Sequence, residues 1–296
     1  MDKIFIILVN YKTVDHAIEC IKSIKEQTYT NINIVVVDNN SQDNCKELIK
    51  NLWEDVCIIE NDTNSGFSEA NNIGIKYAIA HGADYLMLLN CDTKLNNPIY
   101  IERLLEFYKK ESNIGIISGR VDYYYDNNVI WSAGGLLNNY KGSADIIGYK
   151  CKTEMAVYNC VTECTFVSGC CMFFSKKIID LIGYLSDKYF LYFEDTDYCA
   201  RCIKSGLRIV SVNNVSMLHK ESVSTNIKSN LFSYYFTRNR FIYIKHNVDG
   251  VKQKIAYVYS FMWMIKKVLF GEFRLHGTTH GFADFCLGVT GKNERI

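Results

Sequence analysis

Tyr85-Leu86-Met87-Leu88-Leu89-Asn90-Cys91-Asp92-Thr93 decides how this chain folds. Its apolar run, unbroken from Tyr85 to Leu89, reads as a strand buried on both faces, the kind found inside a parallel sheet. The run stops at Asn90 and Asp92, which point the same way if the strand continues. In an open α/β sheet, ligands sit just beyond the carboxyl ends of the strands. A carboxylate there can hold a divalent cation against a phosphate through hard oxygen ligands. Asn and Asp also end strands simply because they suit turns.

The same pattern repeats upstream. Ile4–Val9 predicts a first buried strand, and Ala17, Ile18, Ile21 and Ile24 recur at helical spacing after it. Ile32–Val37 predicts a second strand ending at Asp38-Asn39-Asn40-Ser41, with a helix from about Asp43 to Leu52. Val56–Glu60 predicts a third strand, Asn61–Gly66 a polar loop, and Ser68–His81 a helix leading into Tyr85. Strands alternating with helices over the first ninety residues predict a parallel sheet flanked by helices.

Downstream, Pro98 suits the first turn of a helix running to about Lys110. Gly115–Val121 and Phe166–Ser175 predict strands, with hairpins and loops over residues 122–165. A helix from Lys176 leads to an aromatic strand, Tyr189–Phe193, and then to a helix opening at Glu194-Asp195. The expected organisation is one α/β catalytic domain over residues 1–225, followed by a helical C-terminal extension over residues 226–296.

Composition fits a globular protein with a large core: 48% hydrophobic and 22% charged residues among 296. A net charge of +1 gives no reason to expect nucleic acid as partner. The apolar start is too short and too soon interrupted for a signal peptide or membrane span, so a cytoplasmic location is expected. The twelve cysteines are scattered in apolar surroundings. They read as free, small buried hydrophobes; Cys199-x-x-Cys202 has no second pair at zinc-ribbon spacing.

Three polar clusters, Asn10-Tyr11, Asp38-Asn39-Asn40 and Asn90-x-Asp92, follow three strands of one sheet and so converge on one rim. No G-x-G-x-x-G or Walker sequence follows the first strand, which argues against a dinucleotide enzyme or a P-loop ATPase. With Asn64-Ser65-Gly66-Phe67-Ser68-Glu69-Ala70-Asn71-Asn72 and Tyr192-Phe193-Glu194-Asp195-x-Asp197, these motifs resemble the family 2 glycosyltransferases, and within them the rhamnosyltransferase-like branch. The likeness spans about residues 3–245.

The resemblance implies a GT-A fold acting on a nucleotide-diphosphate sugar with Mg²⁺ or Mn²⁺. Asp38 matches the acid that contacts the base or ribose, and Asn10, Tyr11 and Asn40 belong to the same pocket. Asn64, Gly66 and Asn71 match the loop and helix start that close over the donor. Asp92 matches the metal-binding acid of the D-x-D motif, with Asn90 in place of the first acid. His219 stands where family members often carry a further metal ligand, and neutral imidazole suits Mn²⁺. Arg238, in Tyr234-Tyr235-Phe236-Thr237-Arg238-Asn239-Arg240, could grip a diphosphate or an anionic acceptor through its fork, or belong to a solvated basic face.

Glu194-Asp195 carries its own chemistry. An inverting transferase needs a base for the attacking hydroxyl's proton. Asp195 is read as that base and Glu194 as an acceptor or orienting contact, with the two roles exchangeable. Acids in a first helical turn also stabilise the helix dipole, and Asp197 with Arg201 reads as an i,i+4 pair. The expected reaction is inverting, metal-dependent sugar transfer, with dTDP-L-rhamnose as donor and UDP-hexose or UDP-HexNAc as alternatives. The acceptor is expected to be a glycan, lipid-linked, in bacterial surface-polysaccharide synthesis. A non-catalytic nucleotide-sugar-binding scaffold is the rival. Val251–Phe270 is apolar, aromatic and lysine-flanked, too short to span a membrane. It fits a helix lying on the inner face of the plasma membrane or one packed in a homodimer.

Overall fold

The computed structural model describes residues 1–220 and 229–294; the expected domain boundary near residue 225 lies outside the described residues. The first half alternates as expected: β1 (Ile4–Asn10), α1 (Val14–Lys25), β2 (Ile32–Asp38), α2 (Cys45–Leu52), β3 (Cys57–Glu60), α3 (Gly66–Ala80) and β4 (Tyr85–Leu89). Then follow β5 (Thr93–Lys94), α4 (Tyr100–Lys110), β6 (Ile114–Tyr123), β7 (Ile130–Ser132), β8 (Gly135–Asn138) and β9 (Ser143–Ile146). The next elements are β10 (Val161–Cys164), β11 (Cys171–Ser175), α5 (Lys177–Ile182), α6 (Glu194–Lys204) and β12 (Arg208–His219). Helices α7 (Asn230–Asn247), α8 (Gly250–Leu269) and α9 (Leu275–Cys286) complete the chain.

The main sheet runs β10-β12-β6-β11-β4-β1-β2-β3, with β5 on β12 and β7 on β6. Strands β1, β2, β3 and β4 pair in parallel, as do β6 and β12, while β11 runs antiparallel between β4 and β6. Alternation along β1 divides the core. Ile4, Ile6 and Leu8 pack with Ala17, Ile21, Met87 and Leu104 on one face. Phe5 and Ile7 pack with Ala70, Ala78, Leu86 and Leu88 on the other. Both faces of these strands are therefore covered, which is why their sequences are apolar throughout.

Three local expectations are corrected. Pro98 lies in the turn before α4, where its carbonyl accepts from the Thr28 amide at 2.8 Å. Of Phe166–Ser175 only Cys171–Ser175 pairs on the main sheet as a strand. Tyr189–Phe193 is no strand: it is a bend buried at its two ends, with Tyr192 and Phe193 at φ of +69° and +73°. Its aromatic content is that of a strand, but packing decides otherwise. Tyr189 and Phe193 fill a small core with Tyr243, Ile244 and Val248, so the segment is held by α7 rather than by a neighbouring strand.

Candidate active site

The polar ends of β1 and β2 are tied to each other. Asn10 is fully buried; its Nδ2 donates to Ser41 Oγ at 2.9 Å and to Asp43 at 3.1 Å, and its Oδ1 accepts from Thr13 N at 3.2 Å. Asp38 Oδ1 accepts from Ser41 N at 3.1 Å. Asp38, Asp43 and Cys45 bring their ligand atoms within 4.8 Å of one another. However, burial and then the charges of Asp38 and Asp43 push the Cys45 thiol up to about 12, so it stays protonated and ligates poorly.

Asn39 organises the next turn. Its Oδ1 accepts from Asn61 Nδ2, Ser65 N and Ser65 Oγ, and its Nδ2 donates to Asn64 Oδ1 and Gly66 O. Gly66 then opens α3 at φ +80°, and a Cβ there would sit 2.3 Å from Phe190 O. Only glycine fits both the backbone angle and the close approach. This contact ties the loop before α3 to the Tyr189–Phe193 bend, since Phe67 N donates to Phe190 O at 2.8 Å.

A cleft of about 630 Å³ opens on this rim, a size suited to a small-molecule ligand. Among the expected residues, Tyr11, Asn64, Gly66, Asn90, Asp92, Glu194, Asp195 and His219 line it. Asn10 and Asn71 are buried, while Asp38 and Asn40, on either side of the cleft-lining Asn39, are half-buried. Asn40 donates to Asp62 O at 3.1 Å, and Asn71 to Phe67 O at 2.9 Å.

Asp92 and His219 meet across the cleft floor, with His219 Nε2 3.3 Å from Asp92 Oδ1. His219 is the last residue of β12, and Leu218 and His219 pair with Lys94 and Thr93 just beyond Asp92. Burial pushes the Asp92 carboxyl upward, but the hydrogen bond and charge of His219 outweigh it and hold the group below its ordinary value. Lys220 pins this junction. Its amide donates to Asp92 O at 2.9 Å, and its ammonium reaches His16 Nδ1 at 2.8 Å and the Glu19 carboxylate. Trp131 packs edge-on against His219 at 4.9 Å between ring centres. An ionised carboxylate beside an imidazole is a fitting donor set for Mg²⁺ or Mn²⁺, and two protein ligands leave coordination positions for phosphate oxygens.

On the α6 side, Asp195 Oδ2 accepts from Gly169 N at 3.0 Å and its Oδ1 from Thr196 N at 2.6 Å. Burial raises its pKa against the pull of these amides. Glu194 is more buried, and burial followed by the Asp195 charge lifts its pKa well above the usual carboxylate range. Its Oε2 has no hydrogen-bond partner among the described residues. Of the two neighbouring carboxyls, burial and the like charge beside it make Glu194 the one that holds its proton more tightly. Asp197 turns away: it pairs with Arg201 at 2.8 Å, as its spacing predicts, and accepts from Asn247 of α7 at 2.8 Å.

Arg238 corrects an expectation. It is fully buried and does not line the cleft, so it cannot grip a ligand there. Its guanidinium lies over the rings of Tyr234 and Tyr235 and donates to Tyr234 Oη at 3.0 Å and Gly291 O at 2.6 Å. Asn39, Trp131, Phe190, Tyr192, Tyr235, Lys292 and Asn293 also line the cleft. Asn39 sat inside a quoted motif and was legible. Lys292 and Asn293 carry no sequence signal, because only the packing of α9 on α7 brings them here.

This mixed sheet, with a ligand-sized cleft at the carboxyl ends of its parallel strands, defines a GT-A fold. A mannosyltransferase from Pyrobaculum calidifontis, PcManGT, solved with GDP-Man and Mn²⁺, superposes with a TM-score of 0.60 at 12% identity, covering 96% of this chain and 75% of that one. The sequence profile "Glycosyl transferase family 2" matches residues 5–183, and the chain belongs to that family. It is a glycosyltransferase using a nucleotide-sugar donor. It is 25% identical to the low-salt glycan biosynthesis hexosyltransferase Agl10 of Haloferax volcanii, over 100% of this chain and 95% of that protein. It is also 26% identical to the dTDP-rhamnosyl transferase RfbF of Shigella flexneri, over 77% of this chain and 74% of that one.

Proposed function

We propose that the protein is an inverting glycosyltransferase that moves L-rhamnose from dTDP-rhamnose to a glycan acceptor, with Asp195 as base. The observation that carries this reading is the placing of Asp195, held by the Gly169 and Thr196 amides, and Glu194 on the wall of the cleft that also holds Asp92 and His219. The acceptor hydroxyl gives its proton to Asp195 while its oxygen attacks the anomeric carbon, and the bond from that carbon to the diphosphate oxygen breaks. Burial favours the protonated form of Glu194, and in that form it can donate a hydrogen bond to acceptor or sugar without repelling Asp195. Asp92 and His219 would hold Mg²⁺ or Mn²⁺, which when bound offsets charge on the leaving diphosphate. Likeness to RfbF favours dTDP-rhamnose; UDP-hexose and UDP-HexNAc are the alternatives.

The test is a panel of dTDP- and UDP-sugars with Mn²⁺, Mg²⁺ or EDTA. Metal-dependent binding of dTDP-rhamnose, retained but unproductive in Asp195→Asn, supports the proposal. Preference for a UDP-sugar replaces the donor, and a wild type that binds no nucleotide sugar removes the catalytic reading.

We also propose that the acceptor is lipid-linked and that α8 rests on an anionic membrane surface. Val251, Ile255, Val258, Met262, Ile265 and Leu269 form one exposed apolar stripe, while Ala256, Ser260 and Met264 face inward. Helix α8 carries Lys252, Lys254, Lys266 and Lys267 and no acid. That balance favours anionic lipid over a second copy, since pairing two such helices sets lysines against lysines. No helix among the described residues is long and apolar enough to cross a membrane. Flotation with phosphatidylglycerol vesicles, but not phosphatidylcholine, is expected. Concentration-dependent dimerisation abolished by Val258→Glu, without vesicle binding, would assign the face to a second copy instead.

A further inference from the structure

The segment after α9 is built into the cleft wall from both sides of Lys292. Before it, Gly291 O accepts from Arg238 at 2.6 Å, and Gly291 N donates to Lys188 O at 2.8 Å. After it, Asn293 N donates to Tyr235 Oη at 3.0 Å, and Asn293 Nδ2 donates to Tyr234 Oη and Asp284 Oδ2, both at 2.8 Å. Tyr234 Oη in turn donates to Asp284 Oδ2 at 2.7 Å. Arg238 and Asn293 thus clamp one residue between two buried anchors. Tyr235 stacks on Phe190 at 5.0 Å, which sets the clamp against the bend that also touches Gly66.

Lys292 itself is exposed and lines the cleft. Among the described lining residues it is the only lysine or arginine, beside three carboxylates, Asp92, Glu194 and Asp195. A cleft so lined is a poor host for a doubly charged diphosphate unless cations offset it. Burying a guanidinium and two tyrosines to fix an otherwise solvated lysine is a large structural investment for a surface residue.

We infer that Lys292 is a phosphate-binding residue for the nucleoside diphosphate, held at the cleft by Arg238 and Asn293 as positioning residues. The inference rests on the nucleotide-sugar reading above and deepens it. A solvent-facing ammonium needs no rearrangement to meet an anion, and a charge-assisted bond formed in a partly dehydrated cleft is stronger than a neutral one. This assigns the basic contact expected of Arg238 to a residue more than fifty positions later in the chain.

The experiment is calorimetric titration of the full chain with UDP, dTDP and the corresponding nucleosides in Mn²⁺, comparing wild type with Lys292→Gln, Lys292→Arg and Asn293→Ala. Lys292→Gln is expected to weaken diphosphate binding about tenfold, nucleoside binding less than twofold, and to flatten the salt dependence of the diphosphate. Lys292→Arg should retain most of the affinity. Asn293→Ala should show the same selective loss, with faster amide exchange at residues 288–293, which a purely structural defect confined to α9 would not give. Unchanged diphosphate affinity in Lys292→Gln, or equal loss for nucleoside and diphosphate, overturns the inference while leaving the donor reading intact. Failure of the wild type to bind either diphosphate overturns both.

Discussion

The two sides of the cleft are built differently. On the β1–β2 side, buried polar groups satisfy one another: Asn10 with Ser41 and Asp43, Asn39 with Asn61, Asn64 and Ser65. On the α6–α7 side, Tyr192 and Phe193 sit at positive φ, Glu194 holds a buried oxygen without a partner among the described residues, and so do the hydroxyls of Tyr198 and Tyr243. Bulky residues at positive φ and unpartnered buried oxygens each cost free energy and persist only where surrounding packing enforces them. Lys12, Asn40, Gln42 and Asn44 on the β1–β2 side also sit at positive φ, so what sets the α6–α7 side apart is aromatic residues held in that conformation beside unpartnered buried oxygens.

Breaking that contrast should be easiest at the chemistry. Asp195→Asn removes the proposed base and should lower kcat by about 10² to 10⁴, with donor affinity nearly unchanged in a titration. In the wild type, burial places the Asp195 pKa above its ordinary value of 3.8, so the acid limb of kcat/KM should lie above that value as well. An equal loss of binding and turnover would mean that Asp195 serves donor binding instead.

Gly66→Ala attacks the seam between the two sides. A Cβ at φ +80° and 2.3 Å from Phe190 O should cost about 2–4 kcal/mol in chemical denaturation, combining backbone strain with overpacking. An unperturbed midpoint would show that the bend can move away from α3.

Glu194→Gln sharpens the comparison through pH. The folded carboxyl titrates above its unfolded value, so between the two the folded protein binds more protons than the unfolded chain. Wild-type stability should therefore be undiminished below the unfolded pKa and fall as pH rises toward the folded one. The variant, which cannot ionise, should lose part of that slope and melt higher at neutral pH, with the remainder assigned to Asp195. The smallest effect is expected on the outer surface. Val258→Glu should shift stability by no more than about 0.5 kcal/mol, while reducing vesicle binding.

Much of the rim at the ends of β1, β2 and β4 was legible in the sequence because its information is local. A strand buried on both faces must be apolar throughout, and the polar residues ending it fall on one rim by topology alone, so Tyr11, Asn90 and Asp92 could be assigned from β1 and β4. The i,i+4 pair of Asp197 and Arg201 was readable for the same reason. The α6–α7 side was not. Tyr189–Phe193 has strand composition but no strand to pair with, and Arg238 looks like a surface cation until α9 covers it. Asn10 and Asn71 belong to motifs read as pocket, and the structure buries both, because a motif specifies a neighbourhood and not the direction of each side chain.

The sequence by itself determined the alternating fold, the parallel pairing of the strands in its first half and the rim where polar groups collect, since hydrophobic period and strand ends are properties of short segments. Only the tertiary structure decided which of those polar residues face the cleft, that Arg238 is a buried clamp, and that Lys292 reaches the site. The last two outcomes depend on contacts between residues more than fifty positions apart, where burial, stacking and backbone hydrogen bonds compete and no local pattern records which one prevails.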